Sequence, residues 1–235
     1  MLNLFRNLFC SSLGKKYLMA GSGAVMFLFV LGHLAGNLQI FLGSDAINRY
    51  GAFLQSNVEL LWPVRIALLG IIALHIWSAT KLTLENRAAR PQAYAHWEPT
   101  AATYASRTMM WSGVIVAVFI IYHLLHFTVM VKAVNLTGED FRYYNQILIN
   151  HDERHDIYRM MIVGFQQWPV SVFYIVGVGL LCLHLSHGIS AMFQSLGWKK
   201  RSYGECLDLA SKWVAALIFL GYSSIPVAIM LRWIP

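Results

Sequence analysis

Charge is the first scarcity. Only 12% of the 235 residues are Asp, Glu, Lys or Arg, against 57% hydrophobic ones. A soluble domain carries about 25% charged residues, twice this share. So thin a polar covering excludes disorder and nucleic-acid binding, which both need more polar or basic surface. Cysteine is scarce as well. Cys10, Cys182 and Cys206 form no C-x-x-C pair, so zinc ribbons, cysteine-ligated iron–sulfur clusters and covalent c-type haem have no ligand framework. The start, MLNLFRNLFCSSLGKKY, has a short apolar stretch and no small-residue cleavage site, so no removable signal is expected. No internal repeat or low-complexity segment stands out. The class that remains is an integral membrane protein.

Five apolar runs are long enough to cross a membrane: about 17–42, 64–84, 109–131, 169–193 and 213–234. A hydrocarbon core ~30 Å thick takes ~20 helical residues. The apolar character is continuous and does not alternate, which predicts helices instead of barrel strands. The expected fold class is all-α: one domain, an integral membrane bundle of five transmembrane helices. Tyr17, Trp62, Trp168, Trp213 and Trp233 stand at the span ends, where amphipathic rings favour the interface. Pro63 and Pro169 are expected at helix starts, where a missing N–H costs nothing.

Lysine and arginine orient the bundle. One side collects eleven of them, from Arg6, Lys15 and Lys16 through Lys81, Arg87, Arg90 and Arg107 to Lys199, Lys200, Arg201 and Lys212. The other collects seven, balanced by seven acids. The positive-inside rule therefore predicts a cytoplasmic N-terminus and an outer C-terminus, with the net charge of +7 on the inner face. Anionic lipid or an acidic partner would be drawn there. In the first outer loop, residues 44–61 place Ile47, Tyr50, Phe53, Leu54 and Val58 at helical spacing, predicting a short interfacial helix behind a Ser44 cap. The second outer excursion, 132–168, contains HDERHD (His151–Asp156), read as a solvated loop ahead of a metal site.

Nine histidines are present, and six lie inside spans: His33, His75, His123, His126, His184 and His187. His96, His151 and His155 fall in loops. An ionisable residue in a membrane helix is costly and marks function by default. His33 lies nine residues before the end of its span, His75 nine, His123 eight and His184 nine. Successive helices run in opposite directions, so His33 and His123 share the outer half while His75 and His184 share the inner half. Two pairs stacked across the membrane suit two bis-histidine haems b in a bundle core. A zinc or iron-ion site would want ligands clustered at one level, often with carboxylates, and no acid lies inside these four spans. Gly21, Gly23, Gly32 and Gly36 flank His33, and Gly188 follows His187. Small residues of this kind admit a planar macrocycle or serve helix packing. Lys81 and Arg107 inside, and Arg159 outside, are candidate propionate partners. Spacing leaves one choice open, because His123 and His126 are three apart, as are His184 and His187, so either member of each pair shares the same face.

At HLAGNLQIF (His33–Phe41), YHLLHF (Tyr122–Phe127) and LHLSHGISAMFQSLG (Leu183–Gly197), the sequence resembles the cytochrome b membrane subunit of succinate:quinone oxidoreductases and fumarate reductases. More narrowly, it is similar to the single-subunit, five-helix, two-haem type, from Lys16 to about Ile234. In that family the first histidine of the third and fourth spans is the ligand. The resemblance therefore implies that His33 with His123 holds the outer haem, and His75 with His184 the inner one. It also implies a flavoprotein subunit and an iron–sulfur subunit as partners, a membrane quinone (menaquinone) as substrate, a bacterial cytoplasmic membrane, and room for a higher oligomer. No succinate site belongs to this chain. Glu59 is the nearest candidate for proton exchange with quinone. The alternative is a di-haem cytochrome b anchoring another dehydrogenase, such as a hydrogenase or formate dehydrogenase. A haem-free transporter with a histidine proton relay is the reading from a different class, and it offers no reason for paired depths.

Overall fold

The computed structural model describes residues 2–89, 104–148 and 153–234. Helix α1 (Leu2–Cys10) turns sharply into α2 (Ser12–Asn37), which tightens into a 3-10 turn over Leu38–Leu42. Next come α3 (Ser44–Ser56), α4 (Val58–Ala88) and α5 (Tyr104–His123), the last followed by a π turn over Leu124–Thr128. An antiparallel hairpin of β1 (Asn145–Ile147) and β2 (Glu153–His155) precedes α6 (Ile157–Gln166), α7 (Trp168–Ser195) and α8 (Gly204–Met230). Among the described residues, five helical segments are long and apolar enough to cross a membrane: Ser12–Leu42, Val58–Ala88, Ser106–Thr128, Trp168–Ser195 and Gly204–Met230. The chain is a mostly helical membrane bundle, as its composition demands.

Several boundaries differ from the apolar runs, each for a physical reason. Helix α8 begins at Gly204 and not at Trp213, because Glu205, Asp208 and Lys212 fill its first turns and hydropathy counts solvated helix ends as loop. Helix α4 begins at Val58, so Pro63 lies inside it. The group deprived of a donor there is the Glu59 carbonyl one turn earlier. Pro169 does sit in the first turn of α7. Ser44 does not cap α3: Gly43 takes that place with φ 97°, a left-handed conformation suited to glycine, and offers no side-chain bond. Val58 belongs to the next helix, and Phe53 is 61% exposed.

Helix α1 was not legible as a separate element. Ser11 Oγ accepts from Gly14 N at 2.9 Å and donates to the Asn7 carbonyl at 2.5 Å, closing the corner. A Cβ on Gly14 would stand 2.3 Å from the Asn7 and Leu8 carbonyl oxygens, so only glycine fits. Beyond the corner Lys15 is buried, with Nζ 2.5 Å from Glu85 Oε1 and 3.2 Å from the Cys10 carbonyl. This lysine, read as a topology signal, is an internal tie between α2 and α4.

Packing divides the bundle into two antiparallel helix pairs. Helix α4 lies along α2, α5 lies along α7, and the pairs meet where α2 touches α7. Helix α8 covers α7 and α2 from outside, and its Tyr222 donates to the Val30 carbonyl of α2 at 2.7 Å. In a bilayer such contacts stabilise through packing and hydrogen bonds, since lipid removes the hydrophobic drive between helices.

One face carries a compact deck where a solvated loop was expected. Residues 153–155 pair with 145–147, and Asp156 Oδ1 accepts from Arg159 N at 3.0 Å to cap α6. Phe141 is fully buried with Tyr144 and Met160 beneath it. Asn48, 0% exposed, binds the deck to α3. Its Nδ2 donates to Gln146 Oε1 and Asp156 Oδ1, each at 2.9 Å, and its Oδ1 accepts from Tyr158 N at 2.9 Å. Arg154 donates to Gln146 Oε1 at 2.9 Å and to Asp45 Oδ1 at 2.8 Å. Within the charged run Arg154 and Asp156, both half-buried, are taken up by these bonds, while Glu153 is exposed. His151 and Asp152 of that run, with His96 and Arg90, lie outside the described residues.

Candidate cofactor-binding site

The two helix pairs bring the four expected histidines together in two couples. His33 of α2 faces His123 of α5, with ring centroids 5.7 Å apart and planes at 83°. His75 of α4 faces His184 of α7, at 6.4 Å and 65°. Each couple joins one helix pair to the other. The first lies toward the α3–α6 deck and the second toward the α1 face, as antiparallel spans require.

The second couple is fixed by hydroxyls. Ser22 Oγ of α2 lies 3.0 Å from His75 Nδ1, and Ser112 Oγ of α5 lies 3.2 Å from His184 Nδ1. Both serines are buried. Both rings therefore leave Nε2 as the nitrogen outside these bonds. Gly23 faces the first ring: a Cβ there would meet His75 Cε1 at 3.4 Å. Gly36 instead accommodates Tyr50 of α3, whose Cε1 would be 2.7 Å from an added Cβ. Of the glycines around His33, Gly23 and Gly36 thus face neighbours; beside Gly21 and Gly32, as beside Gly188, an added Cβ meets nothing within 4 Å.

The first couple has a different surround. His33 stacks on Phe29 at 5.4 Å, with Tyr222 at 6.2 Å. Tyr174 Oη of α7 stands between His126 Nδ1 at 3.0 Å and His123 Nδ1 at 3.4 Å. The π turn that starts after His123 widens the helix, and His126 still reaches the Tyr174 hydroxyl that His123 approaches. It is fully buried, stacked on Phe127 at 3.9 Å, and its Nε2 has no hydrogen-bond partner. His187, on regular helix α7, is half-buried one turn beyond His184.

The remaining candidates lie apart from the couples. Glu59 is exposed in the first turn of α4, beside Ser56, Asn57, Val58 and Leu60 in a surface hollow at the α3–α4 junction. Lys81 and Arg107 are exposed toward the α1 end, and the Arg159 guanidinium lies 4.6 Å over the Tyr144 ring in the deck. Ser22, Ser112 and Tyr174 were missed. The serines had a signal, since Ser-Gly with His eleven residues after the serine occurs at 22–33 and again at 112–123. Tyr174 had none.

Fold and site together define a polytopic helical membrane protein that sets two opposed histidine couples at two depths. Residues 83–223 match the succinate dehydrogenase/fumarate reductase transmembrane subunit family, and the chain belongs to that family. The matched stretch includes His123 and His184 but neither His33 nor His75. No curated protein and no solved structure matches the chain.

Proposed function

We propose that this chain is the single-subunit, five-helix anchor of a succinate:quinone oxidoreductase, holding two haems b and serving electron transfer to a membrane quinone. The observation that carries the reading is the pairing of four neutral-ligand side chains, two by two, at two depths. Among the described residues no three His, Cys, Asp or Glu side chains are grouped to hold a metal ion. A tetrapyrrole brings four donors of its own and needs only two imidazoles, so the couples fit haem iron.

His33 with His123, and His75 with His184, would hold the haem iron through ring nitrogens; haem bound there would supply one-electron chemistry. Ser22, Ser112 and Tyr174 hold the rings, and the surrounding apolar side chains exclude water. Lys81, Arg107 and Arg159 would meet propionates. Glu59, exposed at the deck face, would exchange protons with quinone, which takes up two with two electrons. A flavoprotein and an iron–sulfur subunit would dock on the basic face, the cytoplasmic side of a bacterial membrane in this reading, which the charge asymmetry supports.

Pyridine haemochrome titration of the complex purified after expression with ample haem tests the reading. Two non-covalent haems b per chain are expected. One would mean that a couple has been misassigned, and none would overturn the cytochrome reading.

A further inference from the structure

The recurrence of Ser-Gly and His at fixed spacing has a three-dimensional counterpart. Eleven residues advance ~16 Å along a helix, so each stretch places a hydroxyl beside one couple and an imidazole in the other. In the first helix pair, Ser22 of α2 meets His75 of α4; in the second, Ser112 of α5 meets His184 of α7. The glycine that follows each serine faces the same ring. An added Cβ would stand 3.4 Å from His75 Cε1 at Gly23 and 3.6 Å from His184 Cε1 at Gly113.

Proton accounting gives these contacts a direction. A serine hydroxyl has one proton and two lone pairs. Ser22 Oγ lies 2.7 Å from the Leu18 carbonyl, and Ser112 Oγ lies 3.1 Å from the Met109 carbonyl. Carbonyls only accept, so a hydroxyl proton donated within its own helix leaves a lone pair toward the imidazole. In that arrangement the ring nitrogen opposite carries the proton.

We infer that Ser22 and Ser112 are positioning residues that lock His75 and His184 in the Nδ1–H tautomer, so that both rings offer an Nε2 lone pair within the couple. The inference rests on the haem reading of the site. It also implies tuning. A ring that donates from Nδ1 is a more basic ligand, and a more basic axial ligand favours the ferric state and lowers the potential. Both ligands of this couple receive that treatment from the same residue type. The other couple has instead one longer contact to Tyr174, shared with His126.

The test uses the complete complex carrying Ser22→Ala, Ser112→Ala, or Thr at either position. Haem content, the midpoint potential of each haem and the ferric electron paramagnetic resonance signals are read together. Each alanine variant should move the same one of the two haems to higher potential, or lose that haem alone, while the other keeps its potential and signal. Threonine, which keeps the hydroxyl, should restore the parent values. Should an alanine variant not accumulate, cysteine, a weaker acceptor of similar size, is read in its place for a smaller shift in the same direction. Unmoved potentials in variants with two haems overturn the inference alone, as do shifts that fall on different haems for the two serines. No haem in the parent complex overturns the haem reading and the inference with it.

Discussion

His33 and His123 stand edge to face, 5.7 Å apart, although ninety residues separate them in the chain. Their helices belong to different pairs, and α2 and α5 are brought together through α7. Replacing either residue should remove one haem and leave the couple of His75 and His184 intact. Conversely, His75→Leu or His184→Leu should remove the other haem. Haem stoichiometry with redox titration reads this directly, and a variant in either group that loses both or neither would break the assignment.

His126 invites the opposite expectation. It touches Tyr174 and packs on Phe127 and Phe141, with Gly164 of α6 close by. His126→Leu should keep two haems while leaving the Tyr174 hydroxyl with a poorer partner. The cost is about 1–3 kcal/mol for a buried polar group left unsatisfied, measurable as a lower unfolding midpoint in detergent. Loss of a haem would show that His126, and not His123, is the ligand.

Asn48 should behave as the keystone of the deck. Asn48→Leu strands Gln146, Asp156 and the Tyr158 amide, at about 1–3 kcal/mol for each group that finds no water. Limited proteolysis should then cut between α5 and α6 faster than in the parent, with haem content unchanged.

The Lys15–Glu85 pair predicts a modest coupling. The lysine side chain is 4% exposed and the carboxylate 43%, so solvent screens one end. Glu85→Gln should cost about 1–2 kcal/mol, less than a fully buried pair would. In a double-mutant cycle with Lys15→Met, most of that cost should vanish, because the buried charge is gone.

His155 gives the deck a pH dependence. Burial holds its imidazole below the ordinary value, against the opposing pull of the Tyr144 backbone and Asp156. The unfolded deck therefore binds a proton more readily than the folded one, and stability falls as pH drops below about 6.5. Amide exchange in residues 145–147 and 153–155, corrected for intrinsic rate, should reveal easier opening at about pH 5.5 than at about pH 7.5. His155→Gln should flatten the difference.

The spans were legible because lipid imposes one rule on every backbone, and ~20 continuous apolar residues satisfy it. The couples were legible because alternating direction converts position along a span into depth. The deck was not. Asn48, Gln146 and Arg154 look like loop polarity until α3 and α6 close over them, and burial of that kind leaves no periodic trace. Nor could spacing separate His123 from His126, since it assumes a regular helix and the π turn breaks that assumption between them. Pro63 misled for a related reason: its position fitted a helix start, yet α4 begins earlier and runs past it.

The division into two helix pairs bears on how the molecule comes together. Neither pair holds both members of any histidine couple, so one half emerges from synthesis with His33 and His75 and the other with His123 and His184, unmatched hands. A haem bonded across either couple would rivet the halves to each other. Loading would then be the last stage of folding, since ligand binding energy is folding energy when the site exists only in the assembled form. Starvation for the pigment would leave halves that part at the α2–α7 seam, and quality-control proteases would meet an open bundle where the pigmented protein offers a closed one.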